Sequence, residues 1–311
     1  MNIVLLDRKT LGEDLDLSAL LAFGELRIYE TTSVEETPER IQDADIIITN
    51  KVVITQKMMQ DNAKRLKLIC IAATGMNNVD LPAAQALGIE VKNVAGYSTN
   101  SVVQHTFAMV LSLLEQLPHY NQLAKDGRWS HSGLFTNLSA PFGEIGGKKW
   151  GIIGLGNIGK GVAKIAQAFG ATIDYYSTSG ENRINDYHHS DLETLLSECD
   201  IISIHCPLNA NTNNLINQSN LRLLKEHAIL INVGRGGIIN EADLAQALDQ
   251  QTFYAGLDVL SVEPIEQGNP LLSIKNPNQL LITPHIAWTS IEARQKLLAG
   301  IVANIDTFIH G

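Results

Sequence analysis

The chain has 311 residues, of which 45% are hydrophobic and 18% charged, and its formal charge is −10. That length favours two domains with sizeable cores. The acidic balance argues against a surface built to grip nucleic acid or an anionic membrane, so an anionic substrate needs a local cation.

The first part alternates strand and helix signals. Residues 3–7 (IVLLD), 26–30 (LRIYE), 45–50 (DIIITN), 66–74 (LKLICIAAT) and 89–94 (IEVKNV) are apolar or β-branched runs, mostly separated by polar, helix-prone segments. Short apolar strands between helices predict a parallel sheet covered on both faces. The opening residues carry no basic n-region, so they read as a strand rather than a signal peptide. A long helix is predicted over 99–116, ended by Pro118. Its apolar run contains Gln104, His105, Glu115 and Gln116, which fits a buried helix better than a membrane span. Residues 125–147 are polar and rich in Gly and Ser. A loop of that length is either functional or an oligomer arm.

The alternation then restarts with 150–155 (WGIIGL), 172–177 (TIDYYS), 200–206 (DIISIHC), 228–233 (AILINV), 254–259 (YAGLDV) and 280–284 (LLITP), and a helix over 290–308 closes the chain. The pattern predicts two α/β units with doubly wound parallel sheets: residues 1–95 with 287–311, and residues 96–286. Two crossings between units make a hinge and a cleft, a common place for a ligand. Cys70, Cys199 and Cys206 are odd in number and have no C-x-x-C pair or histidine cluster beside them. They read as free thiols of a reducing cytoplasm, with no metal site.

The strongest motif is G-x-G-x-x-G at Gly154, Gly156 and Gly159, entered by an apolar run and left by an amphipathic one. Gly154 allows a tight turn, Gly156 lets backbone approach a pyrophosphate, and Gly159 lets the helix pack on the sheet. The diphosphate then sits on the N–H groups at the helix start, with Leu155, Asn157 and Ile158 between the glycines. An acidic residue is expected at the end of the next strand to bind the ribose. The sequence instead has Ser177, Thr178 and Ser179, with Asp174 too early in the run. Small hydroxyl residues accept either a ribose or a 2′-phosphate, for which Arg183 is a candidate partner. NAD is favoured, with NADP as the alternative.

Three further segments carry chemistry. Residues 229–237 (ILINVGRGG) place Arg235 beyond one strand. Residues 256–264 (GLDVLSVEP) place Asp258 at a strand end and Glu263 after it. Residues 280–288 (LLITPHIAW) place His285 beyond the last strand. Ligands of open α/β sheets bind outside the carboxyl ends of the strands. Hydride transfer to a 2-oxo acid needs a cation for the carboxylate and carbonyl, an acid for the emerging alkoxide, and a carboxylate that orients that acid. Arginine, histidine and glutamate supply these three functions.

With these motifs in this order, the chain resembles the D-isomer-specific 2-hydroxyacid dehydrogenase family over almost its whole length. The resemblance implies two Rossmann-like domains, the first flavodoxin-like and substrate-binding, the second binding NAD(P), and a homodimer built on the cofactor domains. It implies Arg235, Glu263 and His285 as the catalytic set, and Asp258 and Val102 beside the nicotinamide. Residues 73–80 (ATGMNNVD) resemble the loop that binds the substrate carboxylate, so Thr74 and Gly75 join the site. His205, Cys206 and Pro207 match the segment under the adenine, and Thr212, Val233 and Gly234 are further cofactor candidates. Trp288 is a candidate lining residue for the substrate pocket. Within the family, TGMNNVD, GYSTNSVVQHTFAMVL and PHIAW look most like the glycerate dehydrogenase (hydroxypyruvate reductase) subgroup. Glu263, where formate dehydrogenases of the family have Gln, argues against formate oxidation. The alternatives are a phosphoglycerate- or D-lactate-type dehydrogenase and a non-catalytic, corepressor-like NAD sensor.

Overall fold

The computed structural model describes residues 1–62, 64–180 and 186–311. The chain divides into two compact units, Met1–Ser98 with Trp288–Gly311, and Thr99–Ala287. Both are α/β, and every strand pair in both is parallel. No helix among the described residues is long and apolar enough to cross a membrane.

The first unit holds strands β1 (Asn2–Leu5), β2 (Glu25–Ile28), β3 (Ile46–Thr49), β4 (Leu68–Ile71) and β5 (Glu90–Lys92), in the order β2-β1-β3-β4-β5. Side chains alternate between the two faces, as the strand period of two requires. Val4, Ile47, Ile69 and Ile71 pack in one core; Ile3, Leu5, Ile46, Ile48 and Leu68 pack in the other. The closing helix Ile291–His310 covers the second face with Leu297, Ile301 and Ile305. Each fully buried aliphatic side chain contributes about 1.5–3 kcal/mol. Ser290 caps that helix by accepting from Ala293 N–H, and Arg294 Nη2 donates to Asp14 at 2.8 Å.

The second unit holds β6 (Lys149–Ile153), β7 (Thr172–Tyr176), β8 (His188–His189), β9 (Ile201–Ile204), β10 (Ile229–Asn232), β11 (Tyr254–Leu257) and β12 (Leu280–Ile282). Their order is β12-β11-β10-β9-β6-β7-β8. Strand order reverses between β6 and β9, so the crevice at their carboxyl ends is the expected ligand position.

Two sequence expectations need correcting. Pro118 does not end the helical stretch. The helix Thr99–Leu114 stops earlier, Gln116 turns left-handed at φ 53°, and a second helix, Leu117–Lys125, follows. Pro118 lies in its first turn, where a missing N–H leaves no bond unmade. The strands are also shorter than the apolar runs. The run 172–177 leaves the ladder after Tyr176 and 280–284 after Ile282. Those departing residues leave the carboxyl edge of the sheet.

Candidate active site

The seven strands of the second unit among the described residues are parallel, so their carboxyl ends share one edge. The residues leaving that edge, in spatial order, are His285 after β12, Asp258 to Glu263 after β11, Arg235 after β10, His205 after β9, Gly154 after β6 and Ser177 after β7. Adjacent strands lie about 4.8 Å apart. The imidazole, the carboxylate and the guanidinium therefore come from three neighbouring strands.

His285 Nδ1 lies 2.7 Å from Glu263 Oε2, and the side chains are 20% and 32% exposed. Glu263 is itself fixed, because its Oε1 accepts from Leu260 N–H at 3.0 Å. A carboxylate only accepts, so the hydrogen of this pair sits on Nδ1, and Nε2 is the ring nitrogen turned away from Glu263. His285 also has φ 55°. A left-handed histidine costs about 1–2 kcal/mol and persists only where its surroundings impose it. Here Asp258 imposes it. His285 N–H donates to Asp258 O at 2.8 Å, while Ile286 N–H and Ala287 N–H donate to Asp258 Oδ1 and Oδ2, each at 2.8 Å. Asp258 is 1% exposed, and Thr283 Oγ1 donates to its Oδ1 at 2.6 Å. Of about four lone-pair positions on a carboxylate, three are filled by described residues, the fourth, on Oδ2, is filled by none of them, and His105 Nε2 lies 3.5 Å from Oδ1.

Arg235 is half-buried. Its Nη1 donates to Gly234 O at 2.9 Å, and its carbonyl accepts from Asn232 Nδ2 at 2.9 Å. Its other guanidinium N–H groups bond to no described residue, and none of its nitrogens lies within ion-pair distance of a described carboxylate. Gly236 explains how this segment meets its neighbour: a Cβ there would lie 1.9 Å from Leu260 O. Only glycine lets the Arg235 and Glu263 segments pack backbone to backbone.

The glycine loop fits a dinucleotide. Gly154 has φ 94°, and a Cβ there would lie 2.7 Å from Cys206 N; at Gly159 it would lie 2.4 Å from Gly154 O. At Gly156 nothing lies within 4 Å. Leu155 and Gly159 are buried beneath the loop, Ile158 is half-buried, and Gly156 and Asn157 are exposed. Among the described residues no side chain caps the helix Asn157–Ala168, so its first N–H groups remain available to an anion. Across the crevice, His205 Nε2 pairs with Ser203 Oγ at 2.9 Å, and Ser203 accepts from Trp150 Nε1 at 2.9 Å. His205 Nδ1 is buried with no hydrogen-bond partner among the described residues, an orphan that a ligand atom can satisfy.

Burial pushes His205 down from its ordinary 6.5 to about 3, so it stays neutral in the folded chain. The unfolded chain takes up a proton near pH 6.5. Stability is therefore full at neutral pH and declines as pH falls from about 6.5 towards 3. We expect the melting temperature to drop between pH 7 and 5, and the drop to be smaller in His205→Asn. An unchanged slope in that variant would remove the assignment.

The remaining candidates are placed as follows. Cys206 is buried, its thiol pushed up to about 11 by burial, and Pro207 is exposed. Thr212 is fully buried, its hydroxyl donating to Pro207 O at 2.7 Å and accepting from Asn209 N–H at 2.8 Å, so it shapes the loop after β9. Val233 is buried and Gly234 half-buried, the latter donating from N–H to Asn232 Oδ1. Ser177 is buried and Thr178 half-buried. Asp174 does not substitute for the missing ribose acid. It is buried in β7 and held by Lys149, His188 and Ser190. Burial pushes its carboxyl up, but those partners outweigh it and the net direction is down. Arg183 lies outside the described residues. On the first unit, Thr74 is exposed and bonded to Val94 O, Gly75 is half-buried, and Trp288 meets Tyr97 edge to face at 6.1 Å. Val102 is buried on the helix Thr99–Leu114.

Sequence reasoning gave no role to Ser101, His105 and Thr283. Ser101 Oγ donates to Ala287 O at 2.6 Å, and His105 Nε2 lies 3.0 Å from Thr283 Oγ1. The available signal was a pair of polar residues one turn apart in an apolar helix.

A glycine-loop crevice with a His–Glu pair and an arginine on the same sheet edge is the arrangement expected of a nicotinamide-dependent oxidoreductase. Residues 107–287 match the family described as D-isomer specific 2-hydroxyacid dehydrogenase, NAD binding domain. The chain is 38% identical to a hydroxypyruvate reductase of Blautia hydrogenotrophica, covering all of this chain and 98% of the relative. It is also 38% identical to a glycerate dehydrogenase of Methylorubrum extorquens, over 99% and 96%. Among solved structures, an NADPH-dependent glyoxylate/hydroxypyruvate reductase from Sinorhizobium meliloti, in complex with NADP and malonate, matches with TM-score 0.84. That match has 27% identity and covers 99% of this chain and 93% of the other. The chain belongs to the D-isomer specific 2-hydroxyacid dehydrogenases and acts on the CH–OH group with a nicotinamide cofactor.

Proposed function

We propose that this enzyme reduces hydroxypyruvate and glyoxylate to D-glycerate and glycolate, with His285 as acid, Glu263 as its orienting partner and Arg235 as the cation. The observation that carries the reading is the 2.7 Å pair between His285 Nδ1 and Glu263 Oε2, on strand ends next to that of Arg235. The bound cofactor supplies the hydride. Arg235 holds the substrate carboxylate and polarises its carbonyl, with Thr74 and Gly75 contributing to the carboxylate contact and Trp288 lining the pocket. His285 gives its Nε2 proton to the substrate oxygen while Nδ1 stays on Glu263. In the reverse direction neutral His285 takes the hydroxyl proton.

The same reading gives residues 154–159 to the diphosphate, Ser177 and Thr178 to the ribose, and His205, Cys206, Pro207 and Thr212 to the adenine side. Val102, Val233, Gly234 and the open lone pair of Asp258 go to the nicotinamide side. This reading keeps NAD as the primary cofactor, and with no acid at the end of β7 to repel a 2′-phosphate, NADP is also accepted. Phe135 is 92% exposed, and Leu134 and Leu138 beside it are exposed too. Apolar side chains of that size left in water support a second copy of the chain on this segment, hence a homodimer. Three free, buried thiols suit a reducing cytoplasm.

Initial rates on hydroxypyruvate, glyoxylate, pyruvate and phosphohydroxypyruvate, each with NADH and NADPH, test this function. The first two are expected to give the highest kcat/KM. A preference for phosphohydroxypyruvate or pyruvate would move the enzyme to the phosphoglycerate or D-lactate class. No turnover on any of the four would favour the sensor reading.

A further inference from the structure

Two side chains of one helix bracket the loop that carries His285. Ser101 and His105 are four residues apart in the helix Thr99–Leu114, so they lie on one face, one turn apart. Ser101 Oγ donates to Ala287 O, after His285, at 2.6 Å. His105 Nε2 meets Thr283 Oγ1, before His285, at 3.0 Å. A hydroxyl has one hydrogen, and the Thr283 hydroxyl gives it to Asp258 Oδ1 at 2.6 Å. His105 Nε2 must therefore be the donor to Thr283. Donation runs one way, from His105 to Thr283 to Asp258, with His105 Nε2 also 3.5 Å from Asp258 Oδ1 itself, and bonds aligned in that sense polarise one another.

Asp258 is the terminus that matters, because it accepts from Ile286 N–H and Ala287 N–H and its carbonyl accepts from His285 N–H. Those three bonds hold the left-handed turn at His285. A turn held against its own strain relaxes when its support weakens, and the imidazole then leaves Glu263.

We propose that His105 is a positioning residue for this reaction, acting through Thr283 and Asp258 to keep His285 on Glu263. The inference rests on the acid/base role of His285 given above. That reading gives His105 no contact with substrate or cofactor, so its loss should lower turnover and spare binding.

The test compares His105→Leu, His105→Gln and Thr283→Val with His285→Ala in the full-length enzyme. Measurements are kcat and KM for hydroxypyruvate and the NADH dissociation constant by fluorescence titration. His105→Leu should lower kcat about tenfold while NADH affinity stays within twofold. His105→Gln, whose amide can donate to Thr283, should recover most of that loss. The double variant His105→Leu/Thr283→Val should be no worse than the poorer single, because both cut one chain. Additive losses, wild-type kcat in His105→Leu, or a loss that Gln does not rescue would overturn the proposal. An active His285→Ala would instead strike the reading beneath it, and an inactive His285→Ala beside a normal His105→Leu would strike this inference alone.

Discussion

His285→Ala is expected to lower kcat for hydroxypyruvate reduction by about 10²–10⁴-fold, the usual contribution of a positioned proton donor. NADH affinity is expected to stay within twofold. The separation of the two effects follows from the sheet. His285 leaves β12 and the diphosphate loop leaves β6, with β11, β10 and β9 between them. Four strand spacings put the two sites about 19 Å apart. Removing the imidazole leaves the glycine turn, the uncapped helix start and the His205 orphan untouched. It also releases a left-handed residue that alanine tolerates no better, so the comparison should include His285→Gln, which can still occupy the site. Glu263→Gln should have a smaller effect, because the amide keeps a hydrogen-bonding oxygen near Nδ1 and loses only the charge. Near-normal turnover in both His285 variants would remove the mechanism, whatever the substrate.

The sequence carried the architecture well because its strands are nearly all apolar. Ile46, Ile47 and Ile48 are each 0–1% exposed, and only a sheet covered on both faces buries three consecutive side chains. The glycine loop was equally readable, since a Cβ at Gly154 or Gly159 would lie only 2.7 or 2.4 Å from backbone atoms. Arg235, Glu263 and His285 were readable as residues leaving strand ends, but their mutual geometry was not. It depends on Gly236 lying against Leu260, a contact between segments more than twenty residues apart that no local pattern encodes. Asp258 illustrates the same limit. Its residue type and position suggested a ligand contact, whereas most of its acceptor capacity serves the His285 turn. The Trp150–Ser203–His205 chain was invisible because its members are spread over two strands that are neighbours only after folding.

Arg235→Lys is expected to reduce kcat/KM for hydroxypyruvate by about 10²–10³-fold, comparable to losing a transition-state hydrogen-bond donor. The charge survives this substitution, so the loss measures geometry. The guanidinium gives one N–H to Gly234 O, which fixes its plane, and its backbone is tethered through Asn232 Nδ2. Its remaining donors project as a rigid fork that can meet a carboxylate oxygen and a carbonyl oxygen together. An ammonium on a flexible stem meets one of them at a time, and binding of the carboxylate then competes with polarisation of the carbonyl. The two functions separate in the kinetics. A lysine that still holds the carboxylate keeps KM near its original value and loses kcat, whereas Arg235→Gln, which removes the charge, should raise KM as well. Adding guanidinium ion to an Arg235→Ala variant should restore part of kcat without changing NADH affinity. If lysine supports kcat/KM within threefold of the parent enzyme, the fork is not what the reaction uses, and the cation at this sheet edge serves only as a charge.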